Sequence, residues 1–245
     1  METRTGTERK KIKPSMNHYD LSGKRILFVG GETGLDNAII NMIKECVADE
    51  SVTLYDKLVV TNIETDIKTI VKEKGAFDGV VFNIVHSDFR PLPFVKAELV
   101  NQIMNDNYGV FVEVIRSLKK CRGLNAEASI VAMSSISSSR AMKAKMAFCS
   151  SKAALDAAVR CLAVELAPQG IRVNSIQKGA VDVDTEKKYI QDVLAVRSEE
   201  TNKENKAPLG MVKASEVAEL VVFLLSDAVK TLTGTTIVID GGYTA

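Results

Sequence analysis

The stretch ILFVGGETGLDNAIINMIKECV, Ile26 to Val47, decides the fold. RILFV closes a short apolar run from Leu21 to Val29 that suits a buried strand. It passes straight into GGETGLD and then into the helically spaced apolar residues of NAIINMIKECV. Strand, glycine loop and helix, in that order, form the opening of a dinucleotide-binding unit. Glycines let the backbone approach a pyrophosphate, and the helix that follows offers free N–H groups and the positive end of its dipole. Gly30 and Gly34 stand four apart, the spacing of a TGxxxGxG loop. Asp36, however, occupies the last glycine position and sets a carboxylate and a Cβ where the helix should come close. A glycine turn that holds no ligand fits the same residues.

The 245 residues suffice for one large α/β domain or two small ones, and a 46% hydrophobic content implies a sizeable core. Lys and Arg number 32 against 31 Asp and Glu, a net charge of +1, so nothing draws the chain toward nucleic acid or an anionic membrane. No apolar run reaches the ~18 residues that span a bilayer, and the first residues are polar where a signal peptide would be apolar. The expectation is a cytoplasmic protein with no nucleic-acid or membrane partner. Cys46, Cys121, Cys149 and Cys161 form no CxxC pair, and His18 and His86 are the two histidines, so no metal site is expected. Met1 to Asp20 carries Arg4, Arg9, Lys10, Lys11 and Lys13 without apolar periodicity and reads as a basic flexible tail.

A second stretch carries the chemistry. Ile130 to Met133 reads as a strand ending at Ser134 and Ser135, and a serine at a strand's carboxyl end can polarise a substrate carbonyl by hydrogen bonding. Phe148 follows Ser135 by thirteen residues and Lys152 follows Phe148 by four, which puts those two one turn apart on one helix face. That spacing suits a lysine acting on a group presented by its neighbour, yet a phenyl ring has no proton to give. Cys149 points about 100° away around the helix and is a poor substitute.

The chain resembles the short-chain dehydrogenase/reductase family from about Leu21 onward. LSGKRILFVGG is similar to its first strand and loop, FDGVVFNIV to its NNAG strand, and MNDNYGVF to its NxNxxG helix. ASIVAMSS is similar to the strand that delivers the catalytic serine, AVELAPQGIRVNSI to AxELAxxGIRVNxI, and PLGMVKASEVAELVVFLLSDAVKTLTGTTIVIDGG to the C-terminal helix and last strand. The resemblance implies one Rossmann-type domain over 21–245, a doubly wound, seven-stranded parallel sheet with helices on both faces. It also implies an NAD or NADP cofactor, a small-molecule substrate, and a homodimer or homotetramer formed through the long helix 146–167. SVTLYDKLVVTNI leaves room for two short strands with no full helix between them.

Within that resemblance Ser135, Asn107 and Lys152 take the catalytic positions, with Phe148 in the place of the family's tyrosine. Asn107 would hold a water of the proton relay. Lys152 would bind the nicotinamide ribose and lower the pKa of a tyrosine one turn earlier. Gly30, Glu32, Thr33, Gly34 and Leu35 would line the pyrophosphate, Asp56 the adenosine ribose, and Asn62 with Ile63 the adenine. Asn83 and Gly179 complete the cofactor set. Ile84 and Val85 replace the small residues of NNAG and should narrow the floor beneath the cofactor. Lys178 replaces a proline, and Val183 the threonine that would hold the nicotinamide amide. At the enoyl-reductase spacing, seven before the lysine, stands Lys145 in place of tyrosine. His86 is either a proton donor at the site edge or a structural residue. Residues 182–206 read as a substrate lid. Three readings stay open: an NAD(P)-dependent reductase of carbonyls or conjugated ketones with an atypical site, a catalytically silent binding subunit, and an engineered Tyr-to-Phe variant of an ordinary reductase.

Overall fold

The computed structural model describes residues 19–31, 33–56, 62–183 and 207–245. The basic tail through residue 18, Glu32, Lys57 and the lid from 184 to 206 lie outside the described residues. The elements run β1 (Ile26–Gly30), α1 (Gly34–Cys46), β2 (Val52–Tyr55), α2 (Ile63–Lys74), β3 (Phe77–Asn83), α3 (Ala97–Met104), α4 (Val110–Lys120), β4 (Leu124–Ser135), α5 (Met146–Leu166), β5 (Arg172–Lys178), α6 (Ala214–Leu225) and β6 (Thr236–Ile239).

All strand pairs are parallel, in the order β2-β1-β3-β4-β5-β6. Six strands stand among the described residues where seven were expected. The second of the two short strands read between Ser51 and Ile63 would fall on residues 57–61, which are not described, and no helix separates β2 from that segment.

Period-two alternation along near-continuous apolar strands feeds two cores, as a parallel sheet covered on both faces requires. Leu27, Val29, Val80, Phe82, Ile130 and Ala132 pack with α2, α4 and α5. Ile26, Phe28, Val81, Val131 and Met133 pack with α1 and α6 on the other face. Each such side chain contributes about 1.5–3 kcal/mol on burial, so the two faces hold the sheet independently of any ligand.

The order in which strands are added reverses at β1. The chain leaves β1 for β2, then crosses back to set β3 on β1's other side, with Gly30 paired to Asn83 at the carboxyl ends. Such a switch point opens a crevice beyond the strand ends, where ligands of open α/β sheets bind. Helices expected separately over Val95 to Met104 and Tyr108 to Lys120 form one run, joined by a π-helical turn at Asn105–Gly109. Asn107 therefore sits inside a helix rather than at the start of one. Among the described residues no helix is long and apolar enough to cross a membrane.

Close packing is tightest at Gly79 of β3, where an added Cβ would lie 2.6 Å from Ile26 Cδ1 and 2.8 Å from Leu225 Cδ2. Gly79→Ala is expected to lower stability by about 1–3 kcal/mol through overpacking, read from denaturant midpoints; an unchanged midpoint contradicts this packing.

Candidate active site

Lys152 is buried between the ends of β3 and β4. α5 carries it inward at 1% exposure, and its Nζ donates to the carbonyls of Ile84, 3.1 Å away, and Met133, 3.0 Å away. These carbonyls lie just past the end of β3 and near the end of β4, so one side chain ties the two strand ends together. Burial, reinforced by the nearby Lys178 cation and opposed by Asp156, pushes its pKa down to about 7.

Asn107 is completely buried in the π-turn, and its amide is committed on both sides. Its Oδ1 accepts from the His86 N–H at 2.7 Å, while its Nδ2 donates to the His86 carbonyl at 2.8 Å and to Ser151 Oγ at 2.9 Å. Ser151 Oγ in turn donates to the Phe148 carbonyl at 2.8 Å. Ser151 was not singled out from sequence; its place one turn after Phe148 is the signal that marks this link. Ser135 ends β4, and its Oγ accepts from the Ser137 N–H at 3.2 Å, starting a short turn over Ile136–Ser138. Phe148 is 7% exposed, and Lys145 Nζ stands 5.2 Å from its ring centroid. The structure thus joins Asn107, Ser151 and the Phe148 carbonyl by hydrogen bonds, with Lys152 the next residue along α5.

The glycine loop differs from its expected form. Asp36, read from sequence as an obstruction, is the third residue of α1 and fully buried. Its Oδ2 accepts from Thr33 N–H at 2.9 Å and Thr33 Oγ1 at 2.6 Å, and its Oδ1 accepts from Asn83 Nδ2 at 2.6 Å. It completes a capping box and laces the loop to the end of β3. The carboxylate also sits at the positive end of α1, where an anionic ligand would otherwise be drawn. Val183 adds a second obstacle, since its Cβ lies 3.3 Å from where a Cβ on Gly34 would be.

Several expected contacts change character. The side chains of Leu35 and Ile63 are core residues, so their contacts with a ligand are limited to backbone. Gly179 spends its N–H on the Ile239 carbonyl at 2.8 Å, and a Cβ there would meet Asp240 Cα at 2.9 Å, so close packing against the end of β6 requires this glycine. Ile84 turns into the core, whereas Val85 is 52% exposed and does not fill the floor. Asp56 follows β2 and is exposed, as is Asn62, which caps α2 without a side-chain hydrogen bond.

The features left unpaired suit a dinucleotide. Asn83 Oδ1 and Ser134 Oγ are buried at the strand ends without a hydrogen-bond partner, a state that buried polar atoms rarely keep. Gly31 faces open space, with nothing within 4 Å of an added Cβ. His86 holds its Nδ1 2.7 Å from Asp106 Oδ2 in the π-turn; Asp106 was not singled out from sequence.

Two measurements check this geometry. Asp36→Ala is expected to cost about 2–4 kcal/mol, because it removes three hydrogen bonds to a charged group and strands the Asn83 amide; a change below about 0.5 kcal/mol argues against the lacing. Lys152 in the folded chain gives up its proton near pH 7, whereas the unfolded chain keeps it to about 10.5. The unfolded state therefore binds more protons across that window, and stability rises with pH through it. Relative to Lys152→Met, the wild type should gain on the order of a few kcal/mol between about pH 7 and 10; a pH-independent difference contradicts the buried neutral lysine.

A family model described as enoyl-(acyl carrier protein) reductase matches residues 30–244. L-xylulose reductase of Caenorhabditis elegans is 28% identical over 92% of this chain and 98% of its own. D-erythrulose reductase of Gallus gallus is 26% identical over 91% of this chain and 98% of its own. A solved short chain dehydrogenase family protein of Francisella tularensis superposes with a TM-score of 0.79 at 27% identity, covering 90% of this chain and 98% of that one. With the parallel sheet and its strand order, the chain belongs to the short-chain dehydrogenase/reductase family, a group of NAD(P)-dependent oxidoreductases.

Proposed function

We propose that the chain is an NAD(P)-dependent reductase of a small ketose or related carbonyl compound, working with an altered proton supply. The observation that carries this reading is the intact frame around Lys152, whose carbonyl-bound Nζ and neighbouring Asn107 are kept at full burial although Phe148 has no hydroxyl. Burying an amine costs several kcal/mol, and holding a cofactor gives Lys152 a use beyond the tie between the strand ends. Two curated relatives that span nearly the whole chain are reductases of small ketoses, L-xylulose and D-erythrulose, and they support this substrate class.

A reduced nicotinamide, when bound, supplies the hydride. The protein's own residues do the rest. Ser135 donates a hydrogen bond to the carbonyl oxygen and stabilises the charge that develops there. Lys152 holds the nicotinamide ribose, and Asn83 Oδ1 and Ser134 Oγ find partners in the bound cofactor. Gly30, Thr33, Gly34 and the backbone of Leu35 face the pyrophosphate, and Asp56, Asn62 and Ile63 the adenosine. The Asp36 carboxylate at the head of α1 and Val183 against Gly34 weaken that binding, which favours a cofactor held less tightly than an all-glycine loop would hold it.

A non-catalytic binding role is the second reading, and the Val183 contact with Gly34 is the observation that favours it. Oxidation of NADH and NADPH with L-xylulose and related ketoses, followed by absorbance, separates the two. The reductase reading expects turnover that falls about 10²-fold or more in Ser135→Ala through loss of the oxyanion donor. Turnover absent in the wild type but present in Phe148→Tyr identifies a silenced site instead.

A further inference from the structure

We infer that His86, backed by Asp106, is the proton donor that takes the place of the hydroxyl missing at Phe148; this rests on the reductase reading above. His86 lies three residues beyond Asn83, the last residue of β3, on the side of the sheet where ligands of open α/β folds bind. Its backbone is fixed from two directions. The Asn107 amide bonds both its N–H and its carbonyl, at 2.7 and 2.8 Å, and Lys152 holds the carbonyl of Ile84 two residues earlier. The residue is therefore joined directly to the frame that positions the reacting groups.

The ring is oriented as well as anchored. Nδ1 lies 2.7 Å from Asp106 Oδ2, and an ionised carboxylate can only accept, so Nδ1 carries the hydrogen of that bond. Nε2 is then the ring nitrogen left for a substrate, in the arrangement by which a carboxylate sets the tautomer of a general acid–base histidine. The His86 side chain is 31% exposed and Asp106 28%, so the ring is held against the protein yet reachable. Asp106, from the π-turn, is the charged side chain against the ring. Lys152 of α5 reaches this loop only through the Ile84 carbonyl, and Asp88 pairs with Arg90 further along it at 3.0 Å.

The step balances with His86 alone as donor. As the carbonyl carbon gains hydride, the C=O π bond opens onto oxygen, and the oxygen takes the Nε2 proton to give the alcohol. The imidazolium becomes neutral imidazole, keeps its Nδ1–H on Asp106, and regains a proton from solvent. One carbonyl, one hydride and one proton give one alcohol.

The test compares wild type, His86→Gln, Asp106→Asn, Phe148→Tyr and the His86→Gln/Phe148→Tyr double variant, with L-xylulose and NADPH across pH. Removing a general acid costs about 10²–10⁴ in kcat. That fall is expected in His86→Gln with KM for the ketose little changed, together with loss of the pH dependence that an imidazole donor imposes. A smaller fall is expected in Asp106→Asn, and recovery in the double variant, where the tyrosine restores a donor. Apart from turnover, the ring ¹⁵N spectrum of a chain with two histidines should place the neutral-form proton on Nδ1 of His86 in the wild type and lose that preference in Asp106→Asn. Unchanged kcat and pH profile in His86→Gln overturn the assignment, as does an equal loss in Lys145→Met with His86→Gln active. NADPH fluorescence titration separates the failures: a wild type that binds and reduces while ignoring His86→Gln overturns this inference alone, and one that binds no dinucleotide overturns both.

Discussion

The lysine that α5 drives into the sheet is the constraint on which the site depends. Lys152 bonds two carbonyls, one just past the end of β3 and one near the end of β4, and so fixes how far those strand ends can part. A buried amine without such partners would cost several kcal/mol. With them, burial leaves a group that sheds its proton near pH 7. Asn107 extends the same frame, since its bonds to His86 and Ser151 connect the loop after β3 to the helix that carries Lys152.

The departures from an ordinary dinucleotide site take two different forms. Asp36 has been turned to structural use, closing a capping box and holding Asn83. Phe148 has no such compensation, because its ring meets the Lys145 ammonium and nothing replaces a hydroxyl at that point. One change is thus absorbed by the fold, and the other is not. The His86 and Asp106 pair stands next to Asn107, whose amide bonds both the N–H and the carbonyl of His86.

Much of the architecture was legible in the residues. Unbroken apolar runs at Ile26 to Val29, Gly79 to Phe82 and Ile130 to Met133 mark strands buried on both faces. The parts that were not legible depend on contacts between segments far apart in sequence. Asp36 read as an intruder because Asn83, its partner, is 47 residues away. The π-turn at Asn107 leaves no trace in apolar periodicity, which continues on either side of it. Gly179 looked like a ligand glycine until the end of β6 came against it. Val85 looked like a plug, but just past the end of β3 Ile84 turns into the core and Val85 is left exposed.

The central claim is that this frame still receives a dinucleotide, and calorimetric titration of the whole chain with NADH and NADPH tests it most directly. Saturable binding of one of them, with affinity lost in Lys152→Met and raised in Val183→Ala, is the predicted result. No heat of binding from either dinucleotide at millimolar concentration, in wild type and Val183→Ala alike, would contradict it.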